Sequence, residues 1–135
     1  MEYRNTLTTC VYCGCGCGIY VETVDGQITG AWPPKTHPVS QGKLCIKGWN
    51  VTDFVEHPDR LKMPMIRNAA SGELVEASWD EALSLVADRL AKTKAESGPD
   101  SVGFLTSAKC TNEENYLLQK FARAVIGTNN VDHCA

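Results

Sequence analysis

Four cysteines fall within eight positions of this chain, in Cys10-Val11-Tyr12-Cys13-Gly14-Cys15-Gly16-Cys17-Gly18, and a fifth stands apart in Leu44-Cys45-Ile46-Lys47-Gly48. Thiols separated by glycines leave a loop without bulk, the opposite of what core packing selects and a suitable cradle for a soft metal centre. A [4Fe–4S] cube needs one thiolate at each of four iron corners. Cys10, Cys13 and Cys17 are spaced C-x2-C-x3-C, so consecutive turns can wrap three corners, and Cys45 closes the site. Gly14, Gly16 and Gly18 carry no Cβ, which allows positive φ and lets backbone N–H groups approach the sulfur atoms. Such N–H groups stabilise the reduced, more negative cluster, so they tune its potential as well as its geometry. Cys15 is surplus. Using it in place of Cys13 or Cys17 would put two ligands one residue apart, too close to span adjacent irons, and its expected role is loop filling.

Zinc is the competing metal. It takes four nitrogen or sulfur ligands in a tetrahedron, usually from two short pairs, whereas the second segment here offers only Cys45. A disulfide framework does not suit the composition: the seven cysteines are an odd number, and 43% apolar residues are enough for a core without staples. At 135 residues the chain is long enough for one domain, or for one small domain and part of another. A net charge of −3 and a pI near 5.6 lack the clustered basic face of a nucleic-acid binder, so no such partner is expected. No apolar run approaches the roughly 20 residues of a membrane helix. Met1-Glu2-Tyr3-Arg4-Asn5 has neither a basic n-region nor an apolar h-region, and the expected location is a reducing cytoplasm, where free thiolates can hold iron.

The elements that must position these groups form, on this reading, a small β-rich cluster-binding domain over residues 1–66. Thr6 to Val11 and Ile19 to Val24 read as strands flanking the cysteine loop, with Asp25-Gly26 turning into a third strand, Gln27 to Gly30. Trp32-Pro33-Pro34 ends the sheet, because proline cannot donate to a ladder. Lys35 to Lys43 is a polar excursion that returns Cys45 to the loop, and His37 within it reads as an ordinary solvent-facing histidine. Lys47 is either a solvated charge or a cation placed between the cluster and a second anionic cofactor. Trp49 to His57 is expected as a short helix ended by Pro58, followed by a connector and a hairpin of Met65–Arg67 with Glu73–Glu76.

From Ser78 the pattern becomes helical. Ser78-Trp79-Asp80-Glu81 is a capping box, and Trp79, Leu83, Val86 and Leu90 follow the rhythm of one buried face up to Gly98-Pro99. Ser101 to Thr106 reads as a strand, and Thr111 opens a second helix whose stripe is Leu117, Phe121, Ala124 and Val125, stopped by Gly127. The turn from Thr106 to Asn112 lies where α/β sheets bind ligands, although cap chemistry alone accounts for Thr111 and Asn112. Cys110, His133 and Cys134 stay ambiguous, since an isolated His-Cys pair supplies half a metal site. The expected fold class is α+β: a small mainly-β iron–sulfur domain followed by the truncated start of an α/β domain over residues 67–135. With a single strand in view, that second domain is expected to leave apolar faces uncovered.

Taken together, Cys10-x2-Cys13-x3-Cys17, Cys45-Ile46-Lys47-Gly48, Asp59-Arg60-Leu61-Lys62-Met63-Pro64-Met65, Ser78-Trp79-Asp80-Glu81-Ala82 and the run from Tyr116 to Ala135 resemble the N-terminal part of molybdopterin-containing formate dehydrogenase catalytic subunits. The cysteine spacing and the S-W-D-E-A block are shared with the wider molybdopterin oxidoreductases, including nitrate reductases and the iron–sulfur subunit of NADH dehydrogenase, which are the alternatives within the class. Gln119 to Asp132 is similar to formate dehydrogenases more narrowly, and Thr106 to Tyr116 to their soluble NAD-linked type. A zinc-stabilised interaction domain is the alternative outside the class. The resemblance implies reversible oxidation of formate to CO2 at molybdenum or tungsten held by two pterin guanine dinucleotides, with electrons leaving through one pterin to the [4Fe–4S] cluster. It implies that Lys47 lies between pterin and cluster as an electron relay, and that residues 67–135 begin the molybdopterin-binding domain. The cysteine or selenocysteine on the metal is implied a few residues beyond Ala135, so these 135 residues alone are expected to carry a cluster without turning over formate. The implied partners are the remainder of the catalytic subunit, or a companion chain, and iron–sulfur or flavin electron-transfer subunits.

Overall fold

The cysteine loop is held between the first two strands of an antiparallel meander. In the computed structural model, which describes residues 1–134 with Cys134 placed by its backbone, β1 (Tyr3–Thr9), β2 (Gly18–Val24) and β3 (Gln27–Trp32) pair in that order. The β1–β2 register runs from Tyr3 opposite Val24 to Thr9 opposite Gly18. One further bond, from the N–H of Cys10 to the carbonyl of Cys17 at 2.8 Å, ties the base of the loop. The first strand therefore ends at Thr9, two residues before the expected Val11, because Cys10 already belongs to the loop. Asp25 and Gly26 both have positive φ, 49° and 83°, the primed turn geometry that matches the twist of a two-residue hairpin. Strand β3 continues past Gly30 to Trp32, whose ring stacks on Tyr20 at 4.6 Å.

A small core lies directly under the loop. Cys10, Ile19 and Val51 are buried, with Tyr12, Val21, Leu44 and Phe54 packed against them. Residues 44–54 thus carry Cys45 to the loop by burying their own apolar side chains against β2. The expected helix from Trp49 to His57 is not what forms. Instead α1 spans Ile46–Trp49, with Cys45 extended at its N-cap, and turns follow. Buried Gly48 explains the shift: it sits against the Leu44 side chain, where a Cβ would come within 3.1 Å, so the helical turn packs immediately after Cys45. The hairpin of β4 (Met65–Arg67) and β5 (Leu74–Glu76) is as expected.

Helix α2 (Trp79–Ser97) begins with both halves of its capping box: the Ser78 hydroxyl accepts from the Glu81 N–H at 3.2 Å, and the Glu81 carboxylate accepts from the Ser78 N–H at 2.8 Å. These donors hold the Glu81 carboxyl below its ordinary pKa. Its apolar stripe is uncovered, with Trp79 62%, Leu83 59% and Val86 54% exposed. A one-turn 3-10 segment, Pro99–Ser101, leads to β6 (Phe104–Ser107). The sequence predicts one strand here; a second, β7 (Val131–Cys134), pairs parallel to β6 after α3 (Asn112–Phe121) and a π-turn at Ala122–Ile126. Four residues following Asn129-Asn130 are too short a run to stand out by periodicity, and parallel pairing needs the crossover helix in place first. The buried side of this helical segment is also not the expected stripe. Ala122 and Ile126 are buried and Leu118 half-buried, whereas Leu117 and Val125 lie open. The fully buried Thr128 hydroxyl donates to Asp100 at 2.7 Å and fixes that register.

Candidate metal centre

Each thiol reaches the site by a different local device. Cys10 is drawn inward at the end of β1 and is buried; Cys17 precedes Gly18, where β2 opens; Cys13 rides the turn between them; Cys45 caps α1. Cys10, Cys13, Cys17, Cys45 and Lys47 line one cavity of about 220 Å³, with Tyr12, Leu44 and Ile46 as apolar walls. All five residues singled out by spacing or resemblance are therefore brought to one place. Cys15 is not among the lining residues; it is exposed, with its sulfur 3.6 Å from that of Cys17.

The donor set and the space fit an iron–sulfur cube better than a single ion. At ~30 Å³ per water the cavity has room for about seven waters. Zinc draws four donors to ~2.3 Å of a single point. Four thiols around a cavity instead suit a group with four separate corners. Electrostatics favour a cation among these thiols. Burial, then the neighbouring Cys15 thiol, then the charges of Cys10 and Cys13, push the Cys17 thiol up to about 11. Crowded thiolates resist ionisation until a cationic core sits between them. Cys45 is shifted the other way. No formal cap hydrogen bond closes on its sulfur, yet the N–H groups of Gly48 and Lys47 at the start of α1 orient toward it and hold its thiol below the ordinary value.

Of the three loop glycines, only Gly16 takes positive φ, 72°. Gly14 and Gly18 are needed for close approach. A Cβ on Gly14 would lie 2.6 Å from the Asn112 carboxamide oxygen, and one on Gly18 would run into the His37 ring, 2.5 Å from Cγ and 2.6 Å from Nε2. His37 is therefore not the solvent-facing residue expected from its polar surroundings. It is half-buried, and its Nδ1 faces the N–H groups of Gly18 and Val39 at 3.3 Å and Ser40 at 3.4 Å. The buried Ser40 hydroxyl donates to the Gly18 carbonyl at 3.3 Å. This network holds the exit of the loop, and nothing local in the sequence announces it. Gly18→Ala is expected to cost about 1–3 kcal/mol by overpacking, read as a lowered urea midpoint at unchanged m-value. A loss below about 0.5 kcal/mol would show that the ring moves aside freely.

A second cleft, about 250 Å³, opens at the C-terminal ends of β6 and β7 between Thr106, Ser107, Asn115, Gln119 and His133. This is the position at which parallel α/β sheets receive ligands. Cys110 lines neither cavity. A metal-binding role for the His133-Cys134 pair rests on a Cys134 side chain that lies outside the described residues.

Residues 3–57 match the family described as the molybdopterin oxidoreductase Fe4S4 domain, and residues 60–135 match the molybdopterin oxidoreductase family. The chain is 56% identical over 135 residues to the F420-dependent formate dehydrogenase 1 subunit alpha of Methanococcus maripaludis, covering 100% of this chain and 19% of that protein. It is 45% identical over 135 residues to the F420-dependent formate dehydrogenase subunit alpha of Methanocaldococcus jannaschii, with the same coverage of 100% and 19%. Among solved structures, the acetylene hydratase from Pelobacter acetylenicus superposes with a TM-score of 0.74 at 28% identity, over 94% of this chain and 18% of that one. The chain thus spans about a fifth of the length of these curated relatives.

Proposed function

Because this chain belongs to the molybdopterin oxidoreductase family, we propose that it is the N-terminal, cluster-bearing part of a formate dehydrogenase catalytic subunit. The observation that carries the reading is the single cavity lined by Cys10, Cys13, Cys17, Cys45 and Lys47 within the stretch that matches the Fe4S4 domain. Formate as substrate is supported by 56% identity to a relative named for it; the hydratase neighbour at 28% shares the framework under another reaction's name. When bound, the cofactors supply the redox chemistry: formate gives CO2, one proton and two electrons at a molybdenum or tungsten bis-pterin centre, and a [4Fe–4S] cluster carries those electrons away singly.

The residues of this chain supply the rest. The thiolates of Cys10, Cys13, Cys17 and Cys45 would hold the cluster, with Tyr12 and Leu44 as its half-buried apolar walls. Lys47, exposed and two residues after Cys45, would offer its ammonium to the path between the cluster and the pterin. Residues 1–66 form the cluster-binding unit and residues 67–135 begin the pterin-binding domain, whose uncovered α2 stripe packs against the rest of the subunit. The acceptor is F420, as in the names of the two Methanococcus and Methanocaldococcus relatives, reached through a partner electron-transfer subunit. No helix among the described residues is long and apolar enough to cross a membrane, and the proposed location is the cytoplasm.

The test uses the complete catalytic subunit with its cofactors. Anaerobic addition of formate is expected to reduce the cluster, read by EPR, and to drive F420 reduction when the partner subunit is present. A cluster that dithionite reduces and formate leaves oxidised would overturn the assignment of substrate.

A further inference from the structure

Asn112 is the first residue of α3, yet it does not serve that helix. The cap is Thr111, whose hydroxyl accepts from the Glu114 N–H at 3.2 Å while the Glu114 carboxylate accepts from the Thr111 N–H at 2.7 Å. The Asn112 side chain is turned outward, and its Nδ2 donates to the carbonyl of Gly14 at 2.8 Å, across 98 positions of sequence. Among the described residues this is the one side-chain hydrogen bond that joins residues 1–66 to residues 67–135. Gly14 is shaped to receive it, since any Cβ there would meet the same carboxamide at 2.6 Å. Behind Asn112 the start of α3 is itself clamped. The Asn115 carboxamide donates to the carbonyls of Ser107 at 3.1 Å and Thr111 at 3.0 Å, and both Asn115 and Ser107 line the cleft at the strand ends.

We propose that Asn112 is a positioning residue for the metal centre: it fixes the Gly14 peptide between Cys13 and Cys17 and so sets the reduction potential of the cluster. The inference rests on the cluster reading above and extends it to a residue in the other half of the chain. The physical argument concerns one dipole. Gly14 does not itself line the cavity, but it follows Cys13 directly, so its carbonyl dipole belongs to the loop around a group that becomes more negative on reduction, and the Asn112 Nδ2 donor compensates that dipole and holds the peptide in one orientation. Leucine would leave the carbonyl uncompensated. Aspartate would place a full negative charge against it, making reduction harder still. For α3 alone the ranking is different, because an acidic residue in the first turn of a helix is favourable.

The experiment loads the full-length subunit with its cluster and compares the wild type with Asn112→Leu, Asn112→Asp and Asn112→Gln. Potentiometric EPR titration and thermal unfolding are read on each. The expected potentials fall in the order wild type, Leu, Asp, with Gln nearest the wild type, while Asn112→Asp melts at or above the wild-type temperature. Iron loss in air should be about tenfold faster in the Leu variant, as for other residues that orient metal ligands. Equal potentials in all four proteins with intact clusters, or a raised potential in the Asp variant, would overturn the proposal. A Leu or Asp variant that loads no iron supports it when the Gln variant loads normally and overturns it when Gln fails equally. Absence of a cluster signal in the wild type itself would instead count against the cluster reading.

Discussion

Cys45→Ala in the full-length subunit is expected to abolish the [4Fe–4S] EPR signal and to lower iron from about four atoms per chain to three or fewer. The effect is large because Cys45 is the one thiol of the cavity supplied from outside the loop, at the N-cap of α1, where oriented N–H groups favour its thiolate. Removing it leaves one corner without a thiolate, and Cys15, the remaining free thiol of the loop, does not line the cavity. Cys15→Ala is the matched control. Its sulfur lies near that of Cys17 but does not line the cavity, so iron content and EPR line shape should be unchanged. Full iron in Cys45→Ala, or lost iron in Cys15→Ala, would reassign the ligands.

Lys47→Met should leave the cluster loaded and slow its reduction by formate about 10- to 100-fold, the range found when groups around a metal ligand set are lost. Freeze-quenched EPR of the complete enzyme measures this directly. The ammonium is a point charge at the rim of the cavity, next to the one ligand whose thiolate it helps to favour. Lys47→Arg retains the charge and should retain most of the rate. A Met variant that reduces its cluster at the wild-type rate would remove Lys47 from the electron path and return it to a solvated surface charge.

Chemistry with strict spacing was legible in the sequence, and contacts made across the chain were not. The C-x2-C-x3-C loop, the Asp25-Gly26 turn and the capping boxes at Ser78 and Thr111 each depend on residues a few positions apart, and each appears where expected. The helix of α2 is legible in its period, but a period names a face and not its partner, and the stripe expected to be buried is open here. Pro58 marks where a helix must stop, but packing of Gly48 on Leu44 decides where α1 starts, and that contact is not legible in the local sequence. Strand β7 depends on β6 for its identity. His37 and Asn112 could not be read at all. Their meaning lies in Gly18 and Gly14, 19 and 98 positions away, where the only trace in sequence is a pair of glycines explicable by loop flexibility alone.

Iron and acid-labile sulfide analysis with Mössbauer spectroscopy, on full-length subunit purified without oxygen and reduced with dithionite, is the most direct measurement of the metal centre. The expected result is about four irons and four sulfides per chain in a single [4Fe–4S] form. One zinc per chain, with no iron and no signal on reduction, would contradict it.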